Sequence, residues 1–343
     1  MQAEFKENDF ELSGKDILAD HADFASEPIW KDILYRFYKR KINIVCLSVI
    51  LFVIFMAIVG PYLSGRTYEA QIIEHQNLAP RVQGLEKLGI FDGSEKIHYS
   101  NGTSAKVNKY RARDDLSNVY YWFGTDVLGR DIFTRVWMGA RISLYIAFVA
   151  VIIDIAFGLT YGLVSGFVGG AIDSVMQRTV EIINGIPNLI IVTLLIIALK
   201  PGLFTITLAL MLTGWIGMSR IARAQALRIK EMEYLLASRS LGARAVRLIF
   251  VEILPNTIGQ IITNMMFSIP NAIFTEAFLA FIGLGVPLPM ASLGSLIADA
   301  FKSLTTHPYM ISFPVGVLVL LMLSFNILAD GLRDAFDPTM KER

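Results

Sequence analysis

The sequence predicts an all-α integral membrane protein with six transmembrane helices and a small outer insert between the first and the second. Three observations carry that expectation. The 343 residues are 54% hydrophobic with a mean hydropathy of +0.52, too apolar for a soluble domain of that length. Six apolar runs approach the roughly twenty residues needed to cross a hydrocarbon core. A basic cluster, Arg220, Arg223, Arg228, Lys230, Arg239, Arg244 and Arg247, falls between two of those runs and marks one side of the membrane. A net charge of +1 implies no polyanionic partner such as nucleic acid. Cys46 stands alone inside an apolar run, so no intrachain disulfide is expected and the thiol reads as a small hydrophobe.

Taken in order, residues 1–28 carry Glu4, Glu7, Asp9, Glu11, Asp16 and Asp20 with little apolar periodicity, the composition of a loosely ordered tail. They lack an apolar h-region, so no cleavable signal peptide is expected and the chain is held by its own spans. From Trp30 to Lys41 aromatics are interleaved with bases: Trp30, Lys31, Tyr35, Arg36, Phe37, Tyr38, Lys39, Arg40, Lys41. That pattern fits an amphipathic helix on the membrane surface, with lipid as its partner. Residues 1–41 therefore read as a cytoplasmic tail and interfacial helix, and residues 42–63 as the first span. Residues 64–138 leave the membrane as an extracellular loop. Within it residues 97–107 read as a β-hairpin around Asn101-Gly102, since both turn residues tolerate positive φ. Asn101-Gly102-Thr103 also has glycosylation spacing and is taken as turn chemistry.

Residues 139–331 hold the remaining spans. The second, residues 142–168, carries Gly158, Gly162 and Gly166 at i, i+4 and i+8. Lipid tails supply no hydrophobic drive for helix association, so such a face serves close packing. Gly169-Gly170 ends that helix. Residues 182–199, with Pro187 near the start, form the third span, residues 203–222 the fourth, residues 257–283 the fifth with a kink at Pro270, and residues 311–329 the sixth. Six crossings bring both termini to one side, and the basic loop between spans four and five makes that side cytoplasmic. Residues 332–343 are then a cytoplasmic tail.

Asp154, Glu181, Asn184, Asn264, Asn271, Glu276 and Asn326 lie in or at the edge of these runs. An unpaired charge there costs about 2.5–3.5 kcal/mol on insertion scales, so each must face protein or water. Asp154, Asn264, Asn271, Glu276 and Asn326 are the candidates to line a path, or to bond neighbouring helices, which is a common use of such residues. The acids are scattered rather than chained, unlike a proton relay. Enzymatic chemistry is also missing. No Gly-x4-Gly-Lys-Ser/Thr run occurs, Gly14-Lys15 being followed by Asp16, so the chain is not expected to bind ATP. His21, His75, His98 and His307 are far apart, and no His/Cys/Asp cluster has metal-ligand spacing. Neither a catalytic residue nor a directly bound cofactor is expected.

The most informative stretch is the polar loop at about residues 223–256. Residues 231–241 can form about three helical turns ended by Gly242, whose backbone suits a C-cap. A solvated basic loop would look similar, but Leu235, Leu236 and Leu241 give this helix something to bury in a partner's groove. The order Glu233, Ala237, Gly242, Ile253-Leu254-Pro255 resembles the cytoplasmic EAA loop of bacterial ABC importer permeases, with Leu236-Ala237-Ser238 where the name-giving Glu-Ala-Ala would stand. Further stretches resemble the C-type permeases of oligopeptide and dipeptide importers: Tyr121-Trp122-Phe123-Gly124-Thr125-Asp126 with Gly129-Arg130-Asp131 and Arg135, Gly139-Ala140-Arg141, Phe281-Ile282-Gly283-Leu284-Gly285, and Asp330-Gly331-Leu332-Arg333-Asp334.

The resemblance implies a type I importer permease fold in the bacterial cell membrane. It implies a homologous B-type permease as partner, two cytoplasmic ATPases that use ATP and magnesium, and an extracellular lipoprotein that delivers peptide. Glu233, Leu236, Ala237, Ser238, Gly242 and Ala243 are then the candidates for coupling to the ATPases. A nickel-chelate or glutathione importer of the same branch is the alternative, and a proton-coupled carrier or a membrane scaffold a more distant one. For residues 121–135 contact with the lipoprotein, a lid and a structural role all stay open.

Overall fold

The structure, a computed structural model, describes residues 29–98 and 104–336. The expected acidic tail, the Asn101-Gly102 turn and residues 337–343 lie outside the described residues. Among the described residues five helices are long and apolar enough to cross a membrane, and six when one bent pair counts as a single span.

Helix α1 (Ile29–Lys39) is followed directly by the first span, α2 (Lys41–Leu63). The outer segment then folds into a cap. Strand β1 (Ser94–His98) pairs antiparallel with β2 (Ser104–Asn108), Ser94 opposite Asn108 and Ile97 opposite Ala105. Leu78, Tyr110, Leu116 and Tyr121 form a separate small core beneath it.

Helix α3 (Ile132–Val168) starts ten residues before the expected second span. The Asp131 carboxylate sets that start by accepting from the Thr134 amide, an N-cap, and the helix runs on through a π-helical turn over Asp154–Leu159. Gly169 (φ +71) and Gly170 (φ +60) end it.

The third span departs from expectation. It is not one helix but α4 (Gly170–Gly185) and α5 (Asn188–Leu199), bent by 76°. Pro187 explains the break, since it offers no amide and forces Ile186 into an extended conformation (φ −89, ψ 123).

Helix α6 (Leu203–Ile229) runs past the expected end of span four, α7 (Glu233–Ser240) occupies the polar loop, and α8 (Ala245–Leu284) begins twelve residues before the expected fifth span. The expected loop at 223–256 is therefore mostly helical, and the stretch joining α6 to α8 is residues 230–244. A π-helical turn at Leu248–Ile253 leads into Pro255, the kind of local rewinding that accompanies a helical proline. A short helix α9 (Leu293–Phe301), opened by a capping box between Ser292 and Ser295, precedes the last span, α10 (Tyr309–Phe336).

Of the cores among the described residues, two bear on the site. One joins α1, α2, α3, α9 and α10 through Phe37, Val53, Phe133, Val136, Leu293 and Leu321. The other joins α3, α6, α7 and α8 through Leu163, Ala222, Ala226, Leu235, Leu248 and Ile253.

Candidate functional site

The loop helix α7 is assembled from both ends. Met232 is extended (φ −75, ψ 142), which separates α7 from α6 and places Glu233 in the first turn, where an acid suits the helix dipole. At the other end the Gly242 amide donates to Arg239 O (3.0 Å) and the Ala243 amide to Ser238 O (3.1 Å). This is a Schellman closure, and it needs the positive φ of Gly242, +87.

One face of α7 is fixed to the spans. Leu235, 2% exposed, is buried among Ile229, Leu248, Ile249 and Ile253. The Ser238 hydroxyl donates to Glu252 Oε1 at 2.8 Å, and the Asn256 amide donates to the Tyr234 hydroxyl at 3.2 Å. The other face is open. Glu233, Leu236, Ala237 and Gly242 are exposed, Leu241 is 89% exposed, and Met232, Tyr234 and Val246 extend the apolar surface. Of the six coupling candidates, Ser238 therefore turns its hydroxyl inward, Ala243 is half-buried, and the other four face outward.

The frame around α7 is rigid for identifiable reasons. Gly158, Gly162 and Gly166 lie along α6, where an added Cβ would sit 2.7 Å from Trp215 O, 2.2 Å from Ser219 O and 2.6 Å from Arg223 O. Arg223 forks onto Asp173 of α4 at 2.7 and 2.6 Å, Asp173 also accepts from Ser165, and Lys230 Nζ donates to Gly166 O at 3.0 Å. The Arg223–Asp173 and Lys230–Gly166 pairs join residues 50 and 64 positions apart, and a single sequence gives no signal for them.

The polar span residues differ in burial and in partners. Asp154 is buried at the π-helical turn of α3. Glu276 is fully buried and accepts from Ser143 at 3.1 Å. Asn264 is half-buried and returns its amide to Gln260 O of its own helix, Asn271 is exposed, and Asn326 is half-buried. Glu181 is exposed and pairs with Arg178, and Asn184 is exposed.

Residues 121–135 are largely buried and fasten the outer cap to α3. Thr125 Oγ1 accepts from the Leu78 amide (2.8 Å) and donates to His75 O. Asp126 accepts from the amides of Leu128 and Arg130 (2.9 Å each) and pairs with Arg130 Nε at 2.6 Å. Gly129 (φ +70) lies so close to Ile72 O that no side chain fits. Arg135 is fully buried, its Nη1 donating to Tyr68 O. Burial, together with Arg66 and Arg113, holds the His75 pKa below its ordinary value, favouring a neutral ring against the Tyr121 hydroxyl, 2.7 Å away.

Comparison with known proteins places these features in a family. Residues 158–342 match the model of the binding-protein-dependent transport system inner membrane component, and residues 29–80 match the N-terminal TM domain of oligopeptide transport permease C. The oligopeptide transport system permease protein OppC of Bacillus subtilis is 40% identical over 92% of this chain and 91% of its own length. The dipeptide transport system permease protein DppC of the same organism is 40% identical over 94% and 90%. The oligopeptide transport system permease protein AmiD of Streptococcus pneumoniae is 33% identical over 92% and 94%. A solved inward-facing MetNI methionine ABC transporter aligns with 59% of this chain and 97% of its own at 16% identity, with a TM-score of 0.49.

Proposed function

This chain belongs to the family of binding-protein-dependent transport system inner membrane components, and from that premise we propose that it is the permease subunit of an ATP-driven peptide importer, with α7 as the surface that receives a cytoplasmic ATPase. The names of its relatives support oligopeptides or dipeptides as cargo over a nickel chelate or glutathione. In this reading a homologous B-type permease completes the translocation path, two ATPases bind and hydrolyse ATP with magnesium, and an extracellular lipoprotein delivers the peptide. This chain supplies no catalytic group. Both termini and α7 lie in the cytoplasm, on the side marked by Arg228, Arg239, Arg244 and Arg247.

The observation that carries the reading is the two-faced construction of α7. Its outer face offers Leu236 and Leu241 beside Ala237 and Gly242, as a helix entering a groove would. Its inner face is tied by Leu235 and by the Ser238–Glu252 hydrogen bond to the first turns of α8. A push on α7 is therefore delivered to a forty-residue helix rather than absorbed by a loop. Closure of the ATPase pair would turn α8 and the helices packed on it as one body, switching access between the two sides.

Two substitutions test this on the outer face. Ala237→Asp places a charge where the partner's groove would close, and Gly242→Pro removes the positive φ that the cap requires. Both are expected to abolish ATP-dependent peptide uptake in membrane vesicles while the protein remains membrane-inserted at wild-type levels, with the ATPase no longer co-purifying. Wild-type uptake by Ala237→Asp would remove α7 from the mechanism.

A further inference from the structure

The outer cap contains one turn whose polarity is inverted. Leu85–Leu88 is a single 3-10 turn held between Gly84 (φ +89) and Gly89 (φ +72). Its acid points inward, Glu86 accepting from Arg81 Nε at 2.7 Å and from the Tyr120 hydroxyl at 3.3 Å. Its apolar side chains, and those that follow, point outward. Leu88 is 73% and Ile90 54% exposed, with Leu85 and Phe91 exposed beside them. A turn surrounded by water would show the opposite arrangement, and a contiguous exposed apolar patch marks a surface with a partner.

Phe91 fixes where that patch lies. Its ring meets Phe313 at a centroid distance of 6.3 Å, and Phe313 stacks on Phe123 at 3.9 Å. Phe313 belongs to the first turns of α10, a membrane-crossing helix. The exposed face of the turn is therefore continuous with the outer end of the membrane-embedded surface. Lys87, exposed between Leu85 and Leu88, stands where the apolar patch meets the charged cleft lined by Asp92, Arg113 and Asp114, and its apolar stem and charged tip suit an interface with lipid phosphate.

We propose that residues 85–91 are an interfacial anchor that rests in the outer leaflet, with acyl chains beneath Leu85, Leu88 and Ile90 and headgroup phosphate at Lys87. The anchor holds the cap at a fixed height while the spans move below it. The Arg81–Glu86 pair has a definite role here, since it draws the one carboxylate of the turn away from the lipid.

The test uses the full chain with its accompanying subunits in nanodiscs of phosphatidylglycerol and phosphatidylethanolamine. Cys46→Ala removes the only native thiol, and single cysteines at Leu88, or at Asp114 on the polar side of the cap as a control, carry the fluorophore NBD. At Leu88 the emission is expected to be blue-shifted relative to Asp114, quenched by lipids doxyl-labelled near the headgroup, and protected from iodide. Equal iodide quenching at the two sites would overturn the anchor by placing the turn in water. A blue shift at Leu88 without doxyl quenching would equally overturn it, in favour of a protein partner.

Discussion

Gly162 shows how much one hydrogen atom in place of a side chain decides. An added Cβ would lie 2.2 Å from Ser219 O, a backbone atom that cannot swing aside as a side chain does. Overpacking of a closed interface costs about 1–3 kcal/mol even where side chains can adjust, and here the two helices would have to part. Gly162→Leu should therefore lower the melting temperature in detergent by several degrees, together with peptide uptake. Gly217→Ala, on the partner helix where nothing lies within 4 Å, should leave both unchanged. Equal behaviour of the two variants would mean that α3 and α6 are not held by this contact. The spacing of Gly158, Gly162 and Gly166 is legible in the sequence because periodicity alone puts them on one face. The identity of the helix they meet is not, since lipid-soluble helices are apolar all round and carry no directional pattern.

At the scale of the element, the proposed coupling rests on the stiffness of α7's attachment. Ser238 donates to Glu252 Oε1, and Glu252 Oε2 is buried with no partner among the described residues. Ser238→Ala would thus strip a half-buried carboxylate of a hydrogen bond, at a cost of about 1–3 kcal/mol, while leaving the outward residues Leu236 and Ala237 in place. The expected outcome is loss of coupling rather than loss of the partner, with ATPase still co-purifying but fewer peptides imported per ATP hydrolysed in proteoliposomes. An unchanged ratio would show that Leu235 alone carries the connection. Sequence alone groups Ser238 with the outward residues, because a helix with no neighbours specified cannot reveal which face is turned down. The cap at Gly242 is legible, since a glycine directly after a polar helix supplies the left-handed residue that a Schellman closure requires. The break at Pro187 is hidden for a related reason. Apolar residues continue through Ile186 and Leu189, so hydropathy sees one span where the backbone forms two helices.

The whole molecule is closed at one end by residues far apart in the chain. Arg40, just before α2, pairs with Asp334 at the end of α10, and the Trp30 ring meets Phe336 edge-on at 6.1 Å. Asn43 is buried, donates to Phe37 O at 3.0 Å, and packs so tightly on Gly331 that a Cβ there would lie 2.3 Å from its side-chain oxygen. Phe336 in turn covers Gly259 of α8. The Asp330-Gly331-Leu332-Arg333-Asp334 run, readable in the sequence only as a resemblance, thus has a physical task. Gly331 admits Asn43 and Asp334 receives Arg40, binding the first and last spans together beside α8. Gly331→Val should displace Asn43, leave its amide buried without a partner, and loosen α1 from α10. Limited proteolysis of the membrane-embedded protein should then cut near residues 29–41 faster than in wild type, whereas Arg40→Ala, which breaks only an exposed ion pair worth at most about 1 kcal/mol, should change the rate little. Equal protection of Gly331→Val and wild type would mean that the N-terminal helix is held by its lipid contacts and not by the end of α10.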